Sequence, residues 1–367
     1  MTNNLTIKKV SKDEFLNSKM VWNELLDISA SNNLFLRWEW ISSWWVTWSD
    51  KINESELLVI FVYSNDDLIG IAPFYKDVRR LFNILSINRI QFIGTSYQSV
   101  STVRSEYLGL IYIPEYWDQF FNVLIKYLDK NVSYDELILK DIKSNDVFVD
   151  YLFKESAYRF RRVVGSDIGY VVNTKDSFNV YIENLSANTR LGLYNRRKRL
   201  SKHGDIKVEH YDLSHGIVMF DLLNKFHRIR WGADCFSGLS LSFHNAFLES
   251  LTPGCCFSIL KIGNEIVSIQ YNIVIGNTLY NIQSGYDETH YQGLSLGTLH
   301  IGYELEHCFN SDNIKFFDFL AGEGRATDYK KKYNGLVVEF QSVQFVKNKL
   351  LILLYSIKNN CFFRRIF

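Results

Sequence analysis

One order of strands and helices occurs twice along the chain, and this repetition limits the fold more than any other feature. Segments 57–75 (LLVIFVYSNDDLIGIAPFY) and 256–274 (CFSILKIGNEIVSIQYNIV) have the same pattern. Each contains an apolar strand, a tight turn around an asparagine (Asn65 or Asn264) and a second strand that begins near an acidic residue. The two segments therefore predict two β-hairpins.

The elements after each hairpin are repeated as well. Further strands lead to a helix at 115–130 or 297–309, then to a buried strand at 135–142 or 314–321, and late strands RFRRVV and VVEFQSVQFV close each half. We infer an internal duplication of one α/β unit with a mixed, mostly antiparallel sheet flanked by helices. The expected halves are residues 1–170 and 171–345, followed by a basic, apolar tail at 346–367. Helices are expected before the hairpins, at Trp38–Trp48 and, strongly basic, at Asn188–Gly204.

Composition narrows the class of protein. The 367 residues include 41 basic and 40 acidic side chains, a net charge of +1, which argues against a broad basic field for nucleic acid. No apolar run approaches the roughly 20 residues of a membrane span, and the N-terminus lacks a signal-peptide core. The five cysteines show no metal-ligand spacing. We expect a cytoplasmic protein without a membrane span, a nucleic-acid partner or a metal.

A glycine-bearing turn, Gln292–Gly297, separates a strand from the second of the repeated helices. The first backbone N–H groups of a helix lack partners and carry partial positive charge. A glycine there lets phosphate or pyrophosphate approach the backbone. The turn is therefore either an anion-binding site or a plain structural connection.

The order of hairpin, third strand, glycine turn, helix and buried strand resembles the acyl-CoA-binding core of the GNAT acyltransferase superfamily. A fuller resemblance, to FemAB-like and CelD-type acyltransferases, rests on five segments between residues 34 and 333: LFLRWEWISSWW, LIGIAPFYK, TRLGLYNRRKRLSKHG, SGYDETHYQGLSLG and FDFLAGEGRATDYKKKY. This resemblance implies tandem GNAT-like domains.

The resemblance implies that the second half binds acyl-CoA. Ten positions would contact it: Gln283, Ser284, Gly285, Gln292, Gly293, Leu294, Ser295, Gly297, Thr298 and Lys330. The first half has Pro114 and Glu115 at the equivalent place, and a carboxylate there would repel pyrophosphate. We expect the first half to be a scaffold, or a wall for the acceptor.

Three side chains are candidates for the chemistry of acyl transfer. Asp318 lies between phenylalanines, so it is either a buried structural carboxylate or one with a raised pKa. Glu323, on a glycine-flanked loop, is either a proton acceptor or a solvated acid. Tyr329 falls where GNAT enzymes place a general acid, or it is a core aromatic.

Acceptor binding is expected from Arg197, His227, Arg230, Trp231 and Tyr286, since guanidinium groups and flat rings suit nucleotides and sugars. The leading hypothesis is an acyl-CoA-dependent N-acyltransferase that acts on a nucleotide-linked amino sugar for surface polysaccharide, such as O-antigen. The amine would attack the thioester directly. One alternative is a FemAB-like transferase that uses aminoacyl-tRNA. Another is a non-catalytic polysaccharide-assembly protein with a decayed GNAT fold, whose tail makes a peripheral membrane contact. The acyl group, the sugar and the oligomeric state stay open.

Overall fold

The computed structural model describes residues 5–81, 84–155, 158, 160–251, 255–287, 289–322 and 329–359. The chain divides into two compact units: Met1–Ser166 with Glu339–Phe367 (unit 1), and Asp167–Val338 (unit 2). The domain boundaries at residues 170 and 345 remain a prediction. The compact units divide the chain at other residues, since the chain returns to unit 1 at Glu339.

Unit 1 contains a mixed sheet and six helices within its described residues. Its first elements are β1 (Leu5–Lys9), α1 (Lys12–Leu16), α2 (Lys19–Ile28), α3 (Trp38–Trp48), β2 (Glu56–Ser64), β3 (Asp67–Leu81), β4 (Leu85–Phe92) and β5 (Ile111–Tyr112). They are followed by α4 (Trp117–Asn131), β6 (Glu136–Lys143), α5 (Val147–Lys154) and the start of β7 (Phe160–Asn173). Most of β13 (Leu336–Val346) and all of α12 (Lys349–Asn359) complete the unit.

Unit 2 is built from the second part of β7 and the elements that come after it. These are α6 (Phe178–Glu183), α7 (Ala187–Arg190), α8 (Arg197–Leu200), β8 (Ile206–Tyr211), α9 (Gly216–Trp231), α10 (Gly238–Ser250), β9 (Cys255–Ile262), β10 (Glu265–Ile275), β11 (Thr278–Tyr286), α11 (Leu296–Phe309) and β12 (Phe316–Ala321). A π-helical segment, Leu191–Asn195, joins α7 to α8.

The strands of the two units follow the same order. In unit 1 it is β1-β2-β3-β4-β6-β13, and in unit 2 it is β8-β9-β10-β11-β12-β7. In both units the fourth and fifth strands are parallel, β4 with β6 and β11 with β12, and the other pairs are antiparallel. The mixed α/β architecture and its repetition are therefore as the sequence predicts.

One closing strand differs from the expectation. VVEFQSVQFV was expected to close the second half, but β13 pairs with β6 of unit 1. Residues 160–164 of the segment RFRRVV begin β7 and belong to unit 1, while the second part of β7 pairs with β12 of unit 2. The strands of unit 1 are thus completed by β13, which comes from the second half of the sequence.

The predicted hairpins are confirmed. Strands β2 and β3 pair through the Asn65 turn, and strands β9 and β10 pair around Gly263 and Asn264. Asn65 and Gly263 both have a left-handed backbone, with φ of 55° and 59°, as tight hairpin turns require. The helix Trp38–Trp48 also has the predicted bounds.

The basic helix expected at Asn188–Gly204 is interrupted. It is divided into α7, the π-helical segment and α8, and ends at Leu200. This segment packs on α11 without intervening side chains, because a Cβ on Gly302 would lie 2.0 Å from the carbonyl oxygen of Leu193. Gly192 faces the methyl group of Thr298 at the same interface.

Within the described parts of the chain, no helix combines the length and apolar character that a membrane crossing requires.

Candidate active site

The parallel strands β11 and β12 of unit 2 pair over only three residue pairs. Their parallel register runs from Thr278 opposite Phe316 to Tyr280 opposite Asp318, and then ends. Both strands are irregular at this level. The pairing of β11 with β10 shifts between Tyr271 and Asn272, and Leu320 of β12 has a left-handed φ of 58°. Residues 283–286 of β11 therefore have no pairing partner on β12 among the described residues.

The predicted turn comes after β11 and leads to α11. The Asp287 carboxylate accepts the N–H groups of Thr289 (2.7 Å) and His290 (3.2 Å), and the His290 ring lies 2.6 Å from its other oxygen. Asp287, His290 and Glu265 each offer a possible metal-ligand atom, and these atoms lie within 4.8 Å of one another. Each of the three side chains has a hydrogen-bond partner, since Tyr291 donates to Glu265. The turn is thus held by its own side chains.

The start of α11 has no side-chain cap. Ser295 precedes the helix with a left-handed φ of 56°, and its side chain caps no N–H group of the first turn. The Ser295 hydroxyl instead accepts a hydrogen bond from Arg196. Unpaired N–H groups and the helix dipole favour negative charge at this place.

Two basic side chains lie at this helix start. Arg196 contacts Ser295, and its Nε is buried with no hydrogen-bond partner. Burial and the nearby Arg196 charge lower the pKa of Lys332, whose ammonium lies over the rings of Tyr333 (5.3 Å) and Tyr329 (5.8 Å). A bound anion would give the buried Nε of Arg196 a hydrogen-bond partner, and it would offset the repulsion between Lys332 and Arg196.

Gly297 has a packing role that differs from the expected one. A Cβ at this position would lie 2.5 Å from the ring of Tyr286, so that ring occupies the space beside the first turn of α11. The sequence suggested that glycine leaves this volume to pyrophosphate. In the structure the glycine accommodates an aromatic side chain.

The C-terminal end of α9 brings three predicted residues to β11. The half-buried His227 lies close enough to Gln283 for this side chain to influence its pKa, which burial lowers. The Arg230 guanidinium lies over the rings of Tyr286 (4.9 Å) and Trp231 (4.7 Å). Trp231 is 58% exposed, so its indole is available to a ligand.

Close packing brings α9 to this position. A Cβ on Gly285 would meet Phe226 at 3.0 Å and Leu223 at 3.2 Å, so only glycine lets the helix lie directly on the strand. Gly285 is therefore needed for the packing of α9, whatever it contributes to a ligand.

The candidates on and after β12 have backbone partners. Buried Asp318 accepts the N–H of Leu320 (2.7 Å) and so holds the left-handed turn of the strand. Buried Lys330 donates to the carbonyl oxygens of Leu320 (2.9 Å) and Ala321 (3.2 Å). Tyr329 is 40% exposed and packs its ring edge-on against Tyr333. Glu323 lies outside the described residues.

Arg197 is separate from the other predicted acceptor residues. It forms an ion pair with Glu306 and stacks on Tyr303 at 3.8 Å, in the C-terminal part of α11. The basic run in the sequence indicated this helix, but it did not distinguish Arg197 from Arg196, which lies at the helix start.

A buried polar cluster beneath α11 was not predicted. Its centre is Glu304, which accepts hydrogen bonds from Ser258 (2.6 Å) and Asn272 (3.2 Å) and lies 2.9 Å from the ring of His210. His300 joins Ser258 to Ser268, each at 2.8 Å. The polar residues alternate with apolar ones on β10, a signal that resembles an exposed strand face although both faces are buried.

Burial raises the pKa of Glu304, but the hydrogen bond and charge of His210 outweigh this effect and the pKa is lowered overall. The same bond raises the pKa of His210. Each group thus favours the charged form of the other.

The early end of the β11–β12 pairing and the uncapped start of α11 both lie in a part of the chain that matches a known family. Residues 187–331 match the family described as an acetyltransferase (GNAT) domain. The protein is thus a transferase with a GNAT domain, and unit 1 repeats the strand order of that domain.

Solved structures share the fold over almost the whole chain. FemX is 10% identical with a TM-score of 0.63, and the match covers 95% of this chain and 99% of FemX. A conserved protein of unknown function from Bacteroides thetaiotaomicron VPI-5482 is 12% identical with a TM-score of 0.55, covering 94% and 100%. L-PGS from Bacillus licheniformis is 12% identical with a TM-score of 0.51, covering 95% and 97%. No curated protein sequence gives a significant match.

Proposed function

We propose that the protein transfers an acyl group from acyl-CoA to the amine of a nucleotide-linked amino sugar, in the synthesis of a surface polysaccharide such as O-antigen. The observation that carries this proposal is the early end of the β11–β12 pairing, beyond which β11 leads to the uncapped start of α11. A thioester lying between the two strands would have its pyrophosphate at the helix start. Such a reaction takes place in the cytoplasm, where acyl-CoA is made.

The residues at the helix start fit a phosphorylated donor. The partnerless Nε of Arg196 and the ammonium of Lys332 would each gain a charge-assisted hydrogen bond from pyrophosphate. The backbone from Gln292 to Thr298 would supply N–H groups to the phosphates, and Gln283 to Gly285 would contact the pantetheine arm. Lys330, which donates to two carbonyl oxygens of β12, would hold that strand in position. Gly297 would not contact the pyrophosphate itself but would make room for the Tyr286 ring beside the helix start.

The acceptor would approach from the end of α9. Trp231 and the Arg230 guanidinium beside it present a flat cationic surface, which suits a nucleotide base or a sugar ring. Tyr286 supports Arg230 from the other side. Because Arg197 is paired with Glu306, we assign it a structural part and place acceptor binding on the α9 residues.

The reaction we propose is direct attack in a ternary complex, without a metal. The amine nitrogen bonds to the thioester carbonyl carbon, the carbon–sulfur bond breaks, and the thiolate takes a proton. Tyr329, partly exposed on the segment after β12, is the proposed proton donor to the thiolate. Glu323 remains a proposal for proton transfer. Asp318 is assigned to holding Leu320 and thus the shape of β12 at this point.

One observation favours a second candidate, the transfer of an aminoacyl group from aminoacyl-tRNA. Lys198, Arg199 and Lys202 are exposed near the start of α11, and such a cationic surface suits a polyanion. The shared fold with FemX is compatible with this candidate but does not select it. A peripheral membrane contact through the segment after β13 is compatible with either reaction.

Calorimetry tests the donor. We expect CoA to bind with heat, and Arg196→Gln to weaken binding while the exposed Arg199→Gln does not. Failure of the wild-type protein to bind CoA, together with product formation from aminoacyl-tRNA, would favour the second candidate. A thermal-shift panel of UDP- and dTDP-linked amino sugars then tests the acceptor.

A further inference from the structure

We propose that the free edge of strand β8 is a dimer interface, where β8 pairs antiparallel with β8 of a second copy of this chain about a two-fold axis at Val208. The inference is independent of the proposed acyl transfer. Strand β8 (Ile206–Tyr211) is the outermost strand of unit 2 and pairs with β9 along one side. No other strand of the described residues pairs with its second side, so backbone N–H and C=O groups are left there for another strand.

The register with β9 shows which backbone groups of β8 face outwards. The two strands pair in one continuous antiparallel register. One position before β8, the Gly263 N–H donates to the carbonyl oxygen of Asp205 at 2.7 Å. Hydrogen-bonded positions alternate along an antiparallel pair, so every second residue from Asp205 bonds to β9. Ile206, Val208 and His210 therefore direct their N–H and C=O groups to the free edge.

These outward groups fit a two-fold axis at Val208. Val208 would exchange both of its backbone hydrogen bonds with Val208 of the second copy, and Ile206 would do the same with His210 of that copy. Val208 is the middle one of the three residues, so this axis gives the longest pairing. The contact is isologous, because both copies use the same surface and the assembly closes at two.

The side-chain charges are complementary in the same register. An axis at Val208 places Lys207 of each copy directly opposite Glu209 of the other. These two positions lie between the outward hydrogen bonds, where facing side chains of an antiparallel pair are closest. Opposite charges directly across a pair stabilise it, and like charges destabilise it. The sequence Lys-Val-Glu at 207–209 is thus complementary to itself in an antiparallel pair.

Contacts within one copy leave a charge for the second copy to balance. Lys207 lies opposite Lys261 of β9, which is a like-charge pair, and its exposed ammonium is 3.6 Å from the exposed Asp205. The carboxylate of Glu209 pairs with Lys261 at 2.6 Å. Glu209 of a second copy would reach Lys207 from the free side of β8, away from Lys261.

The same charges restrict which strand can pair here. A lysine on an edge strand opposes pairing with unrelated strands, whereas a second β8 supplies an acid at the matching position. The outermost strand of unit 1, β1, lacks this property. It carries Lys8 and Lys9 and has no acidic residue within Leu5–Lys9, so no two-fold axis on β1 gives a pair of opposite charges. Self-pairing is therefore favoured at β8 and not at β1.

Sedimentation velocity and light scattering of the full-length protein test the interface. We expect the wild type to be a dimer that dissociates on dilution. Val208→Pro removes an N–H that faces the free edge and no bond to β9, so this variant should fold but stay monomeric. Circular dichroism and urea unfolding check its fold. A wild type that is monomeric up to its highest soluble concentration would overturn the proposal, and so would an unchanged dimer in folded Val208→Pro.

Charge reversal tests the register, also in the event that the proline variant does not fold. Lys207→Glu should weaken the dimer about tenfold or more, because two attractive pairs become repulsive. Glu209→Lys should weaken it likewise. An equimolar mixture of these two variants should form a heterodimer, because each facing pair then joins an acid to a base again. Lys225→Glu, at an exposed position on α9, is the control and should dimerise as the wild type does. A mixture that stays monomeric, or equal effects of Lys207→Glu and Lys225→Glu, would overturn the proposed pairing.

Discussion

The carbonyl oxygen of Leu193 lies against Gly302, so that a Cβ on Gly302 would be 2.0 Å from it. We expect Gly302→Ala to destabilise the protein by about 1–3 kcal/mol or more, because the π-helical segment must move away from α11. Urea unfolding measures this change. Gly109→Ala is the control, since its Cβ would make only an ordinary contact at 3.7 Å. Equal stability of the two variants would show that the segment is not held at this distance.

The contact of Tyr286 with Gly297 predicts a coupled pair of substitutions. Gly297→Ala should be destabilising because its Cβ would meet the Tyr286 ring at 2.5 Å. In a Tyr286→Ala background the same change should cost little, because the ring is absent. A double-mutant cycle by thermal or urea unfolding measures the difference. Additive effects would mean that Gly297 is required for its backbone or for a ligand rather than for the ring.

Arg196 is expected to contribute to CoA affinity through charge. Losing charge-assisted hydrogen bonds worth about 1.5–3 kcal/mol should weaken CoA binding by about ten- to hundredfold in Arg196→Gln. Calorimetry at two salt concentrations checks this, and the loss should be smaller at high salt. Arg199→Gln, a change of the same type at an exposed position, should have a minor effect. Equal losses in both variants would indicate a diffuse charge effect instead of a contact.

The Glu304–His210 pair predicts a pH-dependent stability. Because the pKa of His210 is raised, its contribution is full below the unfolded value of 6.5 and is lost as pH rises through the folded value. Because the pKa of Glu304 is lowered, its contribution is present above 4.5 and is lost as pH falls through the folded value. The pair should therefore stabilise most between about pH 4.5 and 6.5.

Substitution of His210 tests this window. His210→Gln should cost about 1–3 kcal/mol near pH 6, towards the lower end because the ring is partly exposed. The difference from wild type should shrink as the pH is raised to about 9. Urea unfolding at both pH values measures it. A difference that is independent of pH would show that the pair is not ionic.

Local patterns in the sequence predicted the local elements. The hairpins at Asn65 and Asn264, the helix Trp38–Trp48 and the later helix at 296–309 result from periodicity and turn residues that lie close together in the chain. The end of α9 was also indicated, because Arg230 and Trp231 are adjacent basic and aromatic residues. Their meeting with Tyr286 depended on the resemblance to a known fold.

Relationships across long distances in the sequence were not predictable in this way. The Tyr286 ring on Gly297 and the Leu193 carbonyl on Gly302 depend on the packing of separate elements, and a glycine in a helix does not specify its neighbour. The polar residues of β10 alternate as on a solvent-exposed face, although Ser268 and Asn272 meet His300 and Glu304 beneath α11. Secondary-structure propensity predicts neither the glycine contacts nor the burial of the polar residues on β10, because contacts between distant parts of the chain determine both.

Because β6 and β7 pair with strands that come much later in the chain, they also affect how the protein folds during translation. Gln344 of β13 bonds to Glu136 of β6 across 208 positions, so β6 waits for this partner until β13 has been translated. Meanwhile β7 has been made without β12, its partner in unit 2. A nascent chain of this kind displays unpaired strand edges for most of its synthesis. Ribosome-bound intermediates should therefore depend on chaperones for longer than those of two domains that close independently.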